Sequence, residues 1–205
     1  MSETGSVKFT CEHLARPLEQ FAQLDELNVC RRKLMQLQVL GIDASGIGFG
    51  NISVRQRGTQ RFHISGSGTG GLGELRLRDC ACVTAYDFAQ NWVRSEGVAL
   101  ASSESLTHAA LYEADEAIGA VIHGHPADLW RRLRGVAPTT SSKVEYGTPA
   151  MANEVRRLFR ETDVRTQKLF VMGGHADGFV TFGRDLRDAL AVLMHEFCSR
   201  ESGCR

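Results

Sequence analysis

The pair His123-Gly124-His125 closes the apolar run Ile118-Gly119-Ala120-Val121-Ile122, and its spacing suits metal chemistry. In an extended strand, residues two apart project from one face, so both imidazoles aim at one point. Neutral imidazole is a common nitrogen ligand for zinc and its neighbours. The same spacing also suits two solvated histidines ahead of Pro126. A third histidine, His175, follows Gly173-Gly174 at the end of a second apolar run, Leu169-Phe170-Val171-Met172. Three histidines at strand ends, with a glutamate nearby, would make a three-coordinate metal site with an open position.

Two further segments suit anions. Gly66-Ser67-Gly68-Thr69-Gly70-Gly71 satisfies G-x-G-x-x-G after an extended stretch, but no long helix follows it, as a dinucleotide fingerprint requires. A Gly/Ser/Thr loop of this kind still exposes backbone N–H groups that can cradle an anion; it also reads as an ordinary turn. Ser102-Ser103-Glu104 stands where a helix should begin, and its hydroxyls suit either a phosphate or simple capping. His108, four residues after Glu104, shares its helical face and reads as a packed or capping residue or as a support to the site. His63 alternates within a strand and is expected to be exposed, and His13 and His195 lie far from any motif. Arg131, Arg132 and Arg134 read as a solvated helix face or as help in binding an anion.

These side chains need elements to hold them. Pro17 to Leu40 carries helical periodicity ended by Gly41. Gly-rich turns around Gly46, Gly48 and Gly50 lead to extended segments Asn51–Arg55 and Arg61–Ser65, joined at Arg57-Gly58-Thr59 as a hairpin. Further strands are expected over Cys80–Phe88, from Trp92, over the run ending at His123, over Lys168–Met172 and over Phe179–Phe182. Helices are expected from Ser102 or Ser103 to Tyr112, from Thr148 to Arg160, and from Asp185 onward. The mixture predicts an α/β sandwich with a mostly antiparallel sheet and helices on both faces.

The chain has 205 residues, enough for one domain with a real core. Its 24 basic and 24 acidic residues cancel, which argues against nucleic acid or an anionic membrane as partner. No stretch approaches a membrane span. Met1-Ser2-Glu3-Thr4-Gly5 lacks the features of a signal peptide, so the expected location is the cytoplasm. The six cysteines (Cys11, Cys30, Cys80, Cys82, Cys198, Cys204) show no zinc-ribbon or Cys-x-x-Cys spacing. Cys80 and Cys82 share a face if extended and read as buried or idle thiols or as a second metal site, and Cys198 and Cys204 lie near an end expected to fray. One domain over 1–205 is expected, with 1–16 and 200–205 frayed.

Six segments in order over roughly Gly50 to Ala189 resemble the class II aldolase/adducin family. They are Gly50-Asn51-Ile52-Ser53, Ile64-Ser65-Gly66-Ser67-Gly68, Ser102-Ser103-Glu104, Ala120 to His125, Tyr146-Gly147-Thr148, and Gly174-His175 through Gly183. The resemblance implies a class II aldolase-like three-layer sandwich around a nine-stranded sheet, often in a fourfold tetramer with active sites between subunits. It implies that His123, His125 and His175 bind Zn²⁺ or another divalent metal (Mn²⁺, Co²⁺ or Fe²⁺). Glu104 then matches the catalytic acid/base, and Asn51, Ser67, Gly68, Ser102 and Ser103 match the phosphate-binding positions. The implied activity is cleavage of a ketose phosphate to dihydroxyacetone phosphate and an aldehyde through a metal-stabilised enediolate. Epimerisation, a methylthioribulose-phosphate-type dehydration, or an adducin-like interaction domain without chemistry are the alternatives. The implied partners are a small sugar phosphate and further copies of the chain.

The sequence departs from that pattern in places. The family's tyrosines after the His-x-His strand and near the C-terminus have no counterpart; the first tyrosine after His125, Tyr146, aligns with a structural turn. The third-histidine segment reads Gly-Gly-His-Ala-Asp-Gly, where Asp177 either orients His175 or belongs to a turn.

Overall fold

The computed structural model describes residues 9–199. In chain order the elements are β1 (Thr10–Ala15), α1 (Leu24–Gln36), β2 (Gly41–Ile42), β3 (Gly48–Phe49), β4 (Asn51–Arg55), β5 (Phe62–Ser65), β6 (Cys80–Asp87) and β7 (Trp92–Gly97). Then follow α2 (Ser105–Ala114), β8 (Ala120–Gly124), α3 (Ala127–Leu133), α4 (Pro149–Glu161), α5 (Val164–Gln167), β9 (Leu169–Val171), β10 (Phe179–Gly183) and α6 (Leu186–Cys198). Eight strands form one sheet in the order β1-β7-β6-β5-β4-β8-β10-β9, and β2 and β3 pair separately. Every pairing in the large sheet is antiparallel except β1 with β7.

The sheet divides the core in two, as period-2 alternation requires. Ile64, Ala81, Val121 and Val180 face α2 and α4, meeting Leu106, Ala110, Met151 and Val155. Ile52, Val54, Cys80, Ile122 and Phe179 face the other way, against Leu27, Leu34, Leu129 and Leu193 of α1, α3 and α6. This is the α/β three-layer arrangement, with helices on both faces, that the sequence implies.

Local chemistry sets the helix starts. Thr148 caps α4, its Oγ1 accepting from the Met151 amide at 3.3 Å, with Pro149 in the first turn. Asp185 caps α6, accepting from the Asp188 amide at 2.8 Å. At α2 the carbonyl of Ser102 takes both the Ser105 amide and hydroxyl, at 3.0 and 2.6 Å, so the helix proper starts two to three residues after the expected serines.

Other expectations shift. The first helix spans Leu24–Gln36, not Pro17 to Leu40: residues 16–23 run as a strap over the sheet, pinned where Phe21 stacks on His63. His63 is therefore half-buried rather than exposed. Residues 10–15, expected to fray, pair in register with 92–97 as β1. Among the described residues the main sheet has eight strands instead of nine, and beyond β9 there is only an isolated bridge between Thr139 and Val171. Cys204 lies outside the described residues.

Candidate metal centre

The three histidines converge. β8 delivers His123 at its end and His125 just past it, while His175 sits in the turn between β9 and β10. One ring nitrogen from each lies within 4.8 Å of the others. The Nε2 atoms of His123 and His125 are 3.3 Å apart. Two nitrogens bound tetrahedrally to one ion at about 2.0–2.1 Å would stand about 3.3 Å apart, so the donor set fits a first-row divalent metal.

His123 is anchored behind the site: its Nδ1 lies 3.3 Å from the carbonyl oxygen of Phe179. Donation there fixes the tautomer and leaves Nε2 as the ligand atom. Burial, reinforced by the neighbouring histidines, holds His123 well below its ordinary pKa, and burial brings His125 down to about 4. Both rings are neutral at physiological pH, as ligation needs.

Backbone crowding explains the flanking glycines. A Cβ on Gly174 would stand 2.2 Å from the Val144 carbonyl oxygen, and one on Gly124 would stand 2.5 Å from that of Val39. The 140–144 loop and the end of α1's connection can close on the histidines only because neither glycine has a side chain.

Glu104 is 2% exposed at the start of α2. Its Oε1 lies 4.0 Å from the Nε2 of both His123 and His175, and its Oε2 accepts from the Thr107 hydroxyl at 2.6 Å. The carboxylate thus stands beside the histidine nitrogens with one oxygen held and the other turned toward them. Asn51, Ser67, Gly68, Ser102 and Ser103 line the same cleft. Asn51 is placed by register, opposite His123, and its buried Oδ1 has no hydrogen-bond partner. Gly48 and Gly70 pack backbone to backbone against the neighbouring segment, which brings the Ser67-Gly68 turn against Asn51's strand. Gly68 adopts φ +74°, a conformation open to glycine at little cost.

Three contributors escape sequence reasoning. Tyr146, aligned with a turn, lines the cleft, its ring 4.2 Å from that of His175. Arg31, fully buried on α1, donates to the carbonyls of Thr69, Gly70 and Leu72 and so holds the glycine loop from beneath; burial brings it down to about 10. Ser53 bridges His108 Nδ1 (2.6 Å) and the Tyr112 hydroxyl (2.7 Å) in a buried chain behind the site. Glu104, just ahead of α2, and His108 and Tyr112 on it therefore form one stripe along the Asn51 and Ser53 side of β4.

The remaining candidates fall elsewhere. Asp177 has φ +62° and is a turn residue. Arg131 and Arg132 pair with Asp128 and Glu196 on the surface, and Arg134 covers Trp130. His13 bonds Ser95, and His195 is exposed beside Glu196. The Gly66–Gly71 stretch opens only a single 3-10 turn, Thr69–Gly71. Among the described residues no helix is long and apolar enough to cross a membrane.

The sequence model of the class II aldolase and adducin N-terminal domain matches residues 44–199. No curated protein sequence matches the chain significantly. Solved structures share the fold. An L-fuculose 1-phosphate aldolase superposes with a TM-score of 0.64 at 22% identity, covering 91% of this chain and 90% of that one. A sugar-phosphate aldolase from Thermotoga maritima gives 0.63 at 14% identity, covering 87% and 92%. The N-terminal class II aldolase domain of a conserved protein from Thermoplasma acidophilum gives 0.60 at 15%, covering 93% and 97%. With the family's sequence pattern extending over residues 44–199 of a matching fold, this chain belongs to the class II aldolase and adducin family.

Proposed function

We propose that the protein is a metal-dependent lyase that cleaves a ketose phosphate into dihydroxyacetone phosphate and an aldehyde. The observation that carries this reading is the pairing of a three-histidine centre with a buried carboxylate 4.0 Å from two of its ligand nitrogens. His123, His125 and His175 hold the ion. A divalent ion there supplies Lewis acidity toward the carbonyl and hydroxyl oxygens of a hydroxyketone.

The chain's own groups do the rest. Glu104 moves the proton at the carbon next to the carbonyl, with Thr107 keeping one carboxylate oxygen in place. Asn51, Ser67, Gly68, Ser102 and Ser103 take the phosphate, on the short glycine turn and the residues leading into α2. Phosphate binding orients the reacting carbons at a distance from the bond that breaks. The protein acts as a homo-oligomer, with a tetramer favoured: exposed Ile42, Leu72 and Leu100 surround the glycine loop at the rim of the cleft. All five described cysteines are free thiols, in keeping with a reducing compartment such as the cytoplasm.

The test is phosphorus and proton NMR of metal-loaded protein with fuculose, rhamnulose, ribulose, xylulose and 5-deoxyribulose phosphates. Release of dihydroxyacetone phosphate is the expected result. An isomerised or dehydrated product would reassign the reaction to epimerase or dehydratase chemistry. Metal-loaded protein that neither turns over nor binds any of these phosphates would overturn the proposal.

A further inference from the structure

The sheet face that carries α1, α3 and α6 is not roofed by helix throughout. Over β5, β6 and β7 its cover is the strap of residues 16–23. Beneath the strap lies a cavity of about 670 Å³, within the range of small-molecule sites. Strand register builds its floor: His63 stands opposite Cys82, and Cys82 opposite Glu96. These three polar side chains form a row on a face that is apolar under α1.

The walls are basic. Arg16 comes from the strap, Arg57 from the β4–β5 turn, and Arg61 from the approach to β5. Arg16 and Arg61 both reach Oε2 of Glu96, at 2.7 and 3.5 Å. Arg61 Nε is nonetheless buried with no hydrogen-bond partner, and Arg57 makes no ion pair among the described residues. Glu19 is the other acid in the lining, so three guanidiniums face two carboxylates. Burial, with Arg61 close by, brings His63 down to about 4, which leaves it neutral beneath Phe21 at a ring separation of 4.0 Å. An unpaired buried guanidinium donor is costly, and a planar oxyanion is its natural partner.

This cavity is separate from the metal centre. His63 is the register partner of Val54, which packs in the α1 core, whereas Asn51 and Ser53 project toward α2. The two openings lie on opposite faces of the sheet and at opposite ends of β4.

We propose that the strap cavity is a second binding site, for a small carboxylate or phosphate anion held by Arg57 and Arg61 against the Phe21–His63 wall. The test is isothermal titration of the metal-loaded full chain with inorganic phosphate and, separately, with succinate. It is repeated on Arg57→Ala/Arg61→Ala and on Ser102→Ala/Ser103→Ala, each checked by circular dichroism. The expected result is a saturable binding event for at least one probe that is weakened at least tenfold in the arginine variant and persists in the serine variant, while phosphate taken up by the Ser102-Ser103 cleft is a separate event lost with the serines. Which probe binds distinguishes phosphate from carboxylate as the recognised group. Should the double variant not fold, Arg57→Glu on the exposed turn replaces it, with the same loss expected. Absence of binding by both probes, or absence of any binding event that the arginine changes weaken and the serine changes spare, overturns the proposal.

Discussion

The Nε2 atoms of His123 and His125 stand 3.3 Å apart on neutral, largely buried rings. Two imidazoles cannot both present lone pairs to each other at that distance without a cation between them or a proton on one of them. His125→Ala removes one of three nitrogens, and three-histidine affinity should not survive it. Metal analysis after dialysis should give less than a tenth of the wild-type content. Full retention would contradict the ligand assignment.

Glu104 Oε1 lies 4.0 Å from the Nε2 atoms of His123 and His175, and on the proposed reading it serves as the base and not as a ligand. Glu104→Gln preserves shape and the contact with Thr107 while removing the base. We expect metal content equal to wild type and turnover reduced by about 10²–10⁴-fold, the usual worth of a positioned acid or base. Metal loss in this variant would instead make Glu104 a ligand.

Tyr146 packs its ring against His175 at 4.2 Å. Tyr146→Ala should release His175 and weaken metal binding about 10–100-fold, the usual cost of losing support behind a ligand. Tyr146→Phe keeps the ring and should keep the affinity. A competition titration against a chromogenic chelator measures both.

Ser53 satisfies two buried groups at once, His108 Nδ1 and the Tyr112 hydroxyl. Ser53→Ala should cost about 1–3 kcal/mol for each group it strands, read from denaturant unfolding. A change below about 0.5 kcal/mol would mean that the chain relaxes around the gap.

Acid should destabilise the metal-free protein early. Burial holds His108 at about 3, and His63 and His125 at about 4, against an ordinary value of 6.5. The unfolded chain takes up these protons below pH 6.5 and the folded chain does not. Stability is therefore complete above 6.5 and falls with pH until the folded values are reached. For fully buried His108 the loss at pH 5 is about 2 kcal/mol. Equal unfolding midpoints at pH 8 and pH 5 would refute this.

The strands that carry the site were legible because their pattern is local. Ala120–Gly124 reads as a buried strand from its apolar run, and two-residue periodicity puts His123 and His125 on one point. The fold's edge was not legible. β1 reads as polar because its burial pattern is mostly exposed, and only its partner β7 makes it a strand. Pro17 signals a helix start, yet the strap's geometry is decided by Phe21 meeting His63, a contact between residues 42 positions apart. Tyr146 and Arg31 are silent in sequence for the same reason: their roles depend on loops that arrive from elsewhere.

His125 and His175 lie 50 positions apart in the chain, on elements joined through α3, α4, α5 and β9. An ion gripped by both ties off that whole excursion much as a disulfide would, withdrawing loop-closure freedom from the unfolded ensemble. A bound ion would then fasten the fold as well as supply the proposed chemistry. Chelation should loosen the 126–174 excursion itself, and amide exchange in α4 and the 140–144 loop should quicken before the β4–β7 part of the sheet responds.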